Sequence, residues 1–290
     1  MAIIPPRHGG NLQQAALRLG CAPEQLLDFS ASLVPFAPPA AVRRCMRQAL
    51  ALQVYPDRSY SKLRQAIAQR HQVAADAVLP GNGAAELFTW AARDAAALEL
   101  NHLPAPGFAD YERALACWGG RWQREDLVLP HQEAGPQRLS TAFRSQLAGL
   151  QGPLWVTNPH NPTGQLWSRD SLLELLDRVP LLIVDEAFLP LVPDGEQQSL
   201  AALASRHPRL VVIRSLTKLF GIAGLRLGYA IAEPQRLQRW SVWRDPWPVN
   251  GLAAAAGEVL MADAAWTRRV QTWVATERPW LVGELVRRGW

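Results

Sequence analysis

The sequence predicts an α/β fold with a mostly parallel central sheet and helices on both faces. Three observations carry that expectation. Short apolar runs recur at 77–79, 154–157, 181–185, 210–214 and 227–231. Stretches of helical periodicity separate them, at 40–50, 61–70, 84–96, 108–118, 168–178 and 250–264. With 290 residues, 49% hydrophobic and 19% charged, the chain can bury a core large enough for one big domain or a domain plus part of a second.

The runs 154–157, 181–185 and 210–214 are apolar almost throughout, as strands buried on both faces must be. No internal repeat, low-complexity tract or Gly/Ser linker interrupts the alternation. The net charge of +5 is spread along the chain, and no segment reads as a nucleic-acid module. Cys21, Cys45 and Cys117 are far apart and lack metal-ligand spacing, so they read as reduced core thiols and no metal site is expected. The first ten residues lack the pattern of a signal peptide, and no apolar run approaches membrane-spanning length. The expectation is a soluble, cytoplasmic protein.

Among 30 basic residues only Lys62 and Lys218 are lysines. Arginine cannot lose its proton and so cannot serve as an amine nucleophile. Lys62 stands in a polar stretch and reads as a surface residue. Lys218 has neighbours that suggest chemistry.

In doubly wound sheets the ligand sits where loops leave the carboxyl ends of strands, so the segments after each strand matter most. Asn82, Gly83 and Ala84 follow the first strand and open a helix, where small residues let backbone N–H groups approach an anion. Glu86 stands at the third glycine position of a dinucleotide fingerprint, which excludes that motif. The string Asn158-Pro159-His160-Asn161-Pro162-Thr163-Gly164 forms a rigid loop able to hold an amide in one orientation. Asp185 ends a buried strand, a costly place for a carboxylate unless it meets a cation. Ser215, Thr217 and Arg226 flank Lys218 at spacings that let two hydroxyls and a guanidinium converge on a phosphate beside the amine. Together these are what pyridoxal 5′-phosphate requires of a protein.

The ordered motifs Gly-Asn-Gly-Ala, Asn-Pro-His-Asn-Pro-Thr-Gly, Val-Asp-Glu-Ala-Phe, Ser-Leu-Thr-Lys and Gly-Leu-Arg-Leu-Gly-Tyr resemble those of class I/II aminotransferases. Within that family, His8-Gly9-Gly10-Asn11, Asp28-Phe29-Ser30-Ala31 and Asp245-Pro246-Trp247-Pro248-Val249-Asn250 are similar to the L-threonine-O-3-phosphate decarboxylase branch of cobalamin biosynthesis, near the histidinol-phosphate aminotransferases. The resemblance implies the fold type I of pyridoxal-phosphate-dependent transferases, with Lys218 carrying the cofactor. Asp185 would face the ring nitrogen, Asn161 the phenolic oxygen, and Phe108 the ring. The backbone of Asn82, Gly83 and Ala84 would hold the phosphate with Ser215, Thr217 and Arg226. Tyr55 would reach the phosphate of a neighbouring subunit's site, implying a homodimer. His8, Gly9 and Ser32 would touch a small phosphorylated amino-acid substrate.

The same resemblance implies a division into an N-terminal arm with part of a small domain (1–40), a cofactor-binding domain (41–266), and a helix over 267–288 leading to a C-terminal small domain absent from the chain. That domain would supply the arginines that grip the substrate. Ser32 replaces the asparagine usual in the branch. Phe188 stands where many aminotransferases carry a tyrosine, as suits a decarboxylase. The implied activity is decarboxylation of L-threonine O-3-phosphate to aminopropanol phosphate. The alternatives are a histidinol-phosphate or aromatic aminotransferase, and a cofactor-binding remnant that turns nothing over.

Overall fold

Seven strands form one sheet in the computed structural model, which describes residues 9–48, 53–127, 135–140, 145, 147 and 149–290. They are β1 (Val78–Asn82), β2 (Asn101–Ala105), β3 (Trp122–Asp126), β4 (Leu154–Thr157), β5 (Leu182–Asp185), β6 (Leu210–Ser215) and β7 (Leu227–Ala232). Their order is β1-β7-β6-β5-β4-β2-β3. β7 runs antiparallel to both β1 and β6, and every other pairing is parallel. The mostly parallel sheet expected from the apolar runs is present.

Alternate residues of each strand supply the two cores. Leu182, Val184, Leu210 and Val212 enter one apolar cluster with Trp167, Leu172 and Leu227. Ile183, Val211 and Ile213 enter the other, on the opposite face, with Leu87, Phe88 and Trp240. Burying each such side chain contributes about 1.5–3 kcal/mol, so the period of two along β5 and β6 fixes the sheet between its helical layers.

Two strands were not anticipated. β2 reads Asn-His-Leu-Pro-Ala, too polar to register as an apolar run. Its His102 N–H donates to the Pro153 carbonyl on the β4 side. Two residues on, Pro104 has no N–H to offer on that side, and the β2–β4 ladder holds only the pair His102↔Leu154. β3 is an edge strand, Trp-Gln-Arg-Glu-Asp, whose exposed charged residues discourage further pairing.

The helix expected over 267–288 runs Ala264–Arg287. It starts earlier because the Asp263 side chain accepts the Trp266 N–H and caps it. Trp266, Thr267 and Val270 are buried, and Gln271 donates to the carbonyls of Pro190 and Val192. Helices Leu12–Leu19 and Pro234–Trp243 also went unread in the sequence. The cysteines are free thiols but not core residues: Cys21 and Cys45 are half-buried and Cys117 is exposed. Among the described residues no helix is long and apolar enough to cross a membrane.

Candidate active site

β1, β4, β5 and β6 end on one edge of the sheet, and β7 begins there. The register sets Gly228 between Gly81 and Ser215, which brings the β1 end, the Arg226 corner and the β6 end side by side. Gly228 is required by this approach: a Cβ would stand 2.7 Å from the Ala84 nitrogen and 2.8 Å from the Arg214 carbonyl oxygen. Gly83 adopts φ +74°, and a Cβ there would run into the Arg226 guanidinium. Arg226 is itself left-handed, with φ 56°. A guanidinium therefore lies against the N-terminus of helix Gly83–Ala96.

Across the cup, Ser215 caps helix Leu216–Phe220, its hydroxyl accepting the Thr217 N–H at 3.3 Å. The two hydroxyls lie 2.7 Å apart. A guanidinium, paired hydroxyls and a helix N-terminus are groups whose chemistry favours an anion. One element of the expected cup is corrected. The Asn82 N–H donates to Glu86 Oε2 at 2.6 Å, and Glu86 is paired with Arg244 at 3.0 Å. A carboxylate thus occupies the Asn82 donor, so one of the three backbone N–H groups expected to hold an anion is already engaged.

Lys218 stands one residue beyond Thr217 on the same short helix. Its Nζ is 5.7 Å from the Phe188 ring centroid. Burial, helped by the positive charge of Arg226, pushes its pKa down, while Asp185 pulls the other way. Asp185 is 5% exposed. Burial pushes its carboxyl up to about 6, against the hydrogen bonds from Tyr111 and Ala187 and the charge of Lys218. The Tyr111 hydroxyl donates to Asp185 Oδ2 at 2.7 Å, and the Ala187 N–H to Oδ1 at 2.9 Å. Phe108 meets Tyr111 edge-on at 5.5 Å and Phe88 at 6.3 Å, so it lies at the rim of an aromatic cluster beside Asp185.

The loop after β4 is held by Asn158, which is fully buried. Its side chain accepts the Trp167 N–H at 2.8 Å and donates to the Trp167 carbonyl at 3.1 Å. His160 adds a contact of 2.8 Å between Nδ1 and Thr163 Oγ1, and its ring lies against Trp167. This frame leaves Asn161 half-buried at the loop's turn. The rigidity expected of the two Asn-Pro pairs is realised through Asn158, whose side chain is structural.

Of the other expected residues, those described are exposed. Tyr55 is 73% exposed and stacks on Trp247 at 4.3 Å. His8 lies outside the described residues. Gly9 and Ser32 are exposed. Gly9 packs on the Ser30 carbonyl too closely for any Cβ, and the Gly10 N–H donates to Ser30 Oγ at 2.8 Å. The segment after Ser32 does cross the lysine helix: a Cβ on Gly221, its C-cap, would be 3.1 Å from the Phe36 carbonyl oxygen.

Three participants went unread in the sequence: Tyr111, Thr157 and the Arg214 network. Arg214 is buried and binds Glu186 Oε2 at 2.6 Å and Glu196 Oε1 at 2.8 Å, with Ser199 Oγ at 2.9 Å. Because Glu186 follows Asp185 and Arg214 precedes Ser215, this network locks together the two strand ends that carry the site. For the Arg214 network the available signal was a charged residue at or beside the runs 181–185 and 210–214, and for Tyr111 and Thr157 there was none.

Residues 24–290 match the family described as aminotransferase class I and II. The chain belongs to that family. It is a pyridoxal-phosphate-dependent enzyme. It is 39% identical over 284 residues to the threonine-phosphate decarboxylase of Salmonella typhimurium, covering 96% of this chain and 76% of that protein. Histidinol-phosphate aminotransferase 2 of Ralstonia nicotianae is 29% identical, over 92% of this chain and 71% of its own length. The fold is that of the histidinol-phosphate aminotransferase of Sinorhizobium meliloti, solved in complex with pyridoxal-5′-phosphate, with a TM-score of 0.79 at 21% identity, covering 96% of this chain and 76% of that one. The residues present fit the cofactor: the Gly83 cradle beside Arg226 suits its phosphate, and the buried Asp185 suits a cationic ring nitrogen.

Proposed function

We propose that this enzyme decarboxylates L-threonine O-3-phosphate to aminopropanol phosphate. The observation that carries the reading is the 39% identity to a threonine-phosphate decarboxylase, sustained along 96% of the chain. Phe188 beside Lys218 Nζ supports it, since an apolar ring there offers no hydroxyl to the cofactor.

Bound here, pyridoxal phosphate supplies an electron sink next to the substrate's α-carbon. Gly83, Ala84, Ser215, Thr217 and Arg226 would hold its phosphate, Asp185 its ring nitrogen, Asn161 its phenolic oxygen and Phe108 its ring face. Lys218 is the attachment point, because its depressed pKa raises the share of free amine, the form that attacks a carbonyl. Breaking the bond to the carboxylate leaves the α-carbon in need of a proton, which Lys218 would deliver. Tyr55, exposed on its own chain, would enter the site of a second copy in a homodimer. His8, Gly9 and Ser32 would lie towards the substrate.

A histidinol-phosphate aminotransferase is the second reading, favoured by the 29% identity to the Ralstonia enzyme. Carbon dioxide release from carboxyl-labelled O-phospho-L-threonine separates the two. Release without any keto acid, lost in Lys218→Ala, supports the decarboxylase. Amino transfer that demands a keto acid, with no release, rejects it.

A further inference from the structure

Tyr111 has no part in the roles assigned so far, yet its buried hydroxyl bridges two polar side chains at the site. The β4–β5 register pairs Thr157 directly with Asp185, so the two side chains leave the same face of the sheet side by side. Tyr111 descends from helix Asp110–Ala116 onto this pair. Its oxygen is 2.7 Å from Thr157 Oγ1 and 2.7 Å from Asp185 Oδ2. The ring is 4% exposed, tilted at 31° against Trp155 and edge-on to Phe88 and Phe108.

The direction of the chain follows from donor capacity. An ionised carboxylate can only accept. Tyr111 must therefore donate to Asp185, and its oxygen is left to accept the Thr157 hydroxyl proton. The run Thr157 to Tyr111 to Asp185 points every proton at the carboxylate. Protonating Asp185 makes it a possible donor and lets the run reverse. The arrangement thus favours one charge state of the group that would face the cofactor's ring nitrogen.

We propose that Tyr111 is a positioning residue of this enzyme, holding Asp185 ionised and oriented for the cofactor's ring nitrogen, with Thr157 fixing the direction of the hydrogen-bonded chain. The inference rests on the assigned cofactor site and is independent of which substrate reacts. The other groups facing Asp185 are Lys218 from helix Leu216–Phe220, which also favours the charged form, and Glu186, its chain neighbour, which opposes it. Asp110 stands beside Tyr111 on its own helix. Through its edge contact with Phe108, Tyr111 also ties the ring-stacking position to the carboxylate.

The test uses the cofactor-free protein first. With Asp185 followed by carbon-13 carboxyl NMR, Tyr111→Phe should move its titration upward by about one pH unit, the scale set by one hydrogen bond to a charged group. The ring and its packing remain, so the fold should persist. Thr157→Val should move the titration less, and the double variant should match Tyr111→Phe alone, because the chain is broken once the hydroxyl is gone. Cofactor affinity at pH 6.5 should fall about threefold in Tyr111→Phe and very little at pH 8.5, where Asp185 is ionised in both proteins. An Asp185 titration unchanged in Tyr111→Phe, or additive effects of the two substitutions, would overturn the proposal. A failure of carbon dioxide release with these shifts intact would count only against the substrate.

Discussion

Replacing Asp185 with asparagine should stabilise the cofactor-free protein while disabling cofactor function. The carboxyl is 5% exposed and titrates at about 6 in place of 3.8, chiefly because burial disfavours its charge. The folded-state value lies above the unfolded one. The stability it contributes is therefore fully present below pH 3.8 and lost as pH rises through 6. At roughly 1.4 kcal/mol per pH unit, the shift from 3.8 to about 6 costs the ionised apoprotein about 3 kcal/mol at pH 8. Asparagine keeps an acceptor for the Ala187 N–H and carries no charge. Urea unfolding of both apoproteins should place Asp185→Asn about 3 kcal/mol above wild type at pH 8, narrowing to about half that at pH 5. A gap that does not change between pH 5 and 8, or a variant less stable than wild type at pH 8, would refute the assignment of Asp185 as a strained carboxylate awaiting a cation.

Two further perturbations probe the cup and its frame. Gly83→Ala places a side chain at φ +74°, at a cost of roughly 1–2 kcal/mol, and pushes the Arg226 guanidinium out of the cradle. Cofactor affinity by fluorescence titration should weaken tenfold or more, and an unchanged affinity would show that the cradle does not hold the phosphate. Arg214→Met leaves Glu186 buried without its cation, which should lower unfolding free energy by about 3–5 kcal/mol. A loss under 1 kcal/mol in urea titration would mean that the network does not lock β5 to β6.

Lys218, Asp185 and Arg226 stood out in the sequence as polar residues of demanding chemistry near apolar runs, and the structure brings Asp185 and Arg226 close enough to act on the Lys218 charge. Geometry that depends on a distant partner did not stand out. An apolar run carries no direction, so the antiparallel sense of β7 had no signature. Tyr111 is one aromatic on a helix, and its value comes only from β4 and β5 lying beneath it. The Asn82 backbone looked free until Glu86, four residues on, turned back to take its N–H. Asn158 and Asn161 were alike in sequence, and the burial of Trp167 decides which of them serves the frame. Tyr55 is exposed and stacks on Trp247, and the role proposed for it needs a second copy, which one chain's sequence does not display.

The central claim is that Lys218 carries the cofactor, and the chain's two lysines make it directly testable. The protein is loaded with pyridoxal phosphate, reduced with borohydride, digested and read by mass spectrometry. One permanently labelled peptide is expected, containing Lys218, with Lys62 untouched and the label absent in Lys218→Ala. Label on Lys62, or none at Lys218, would contradict it.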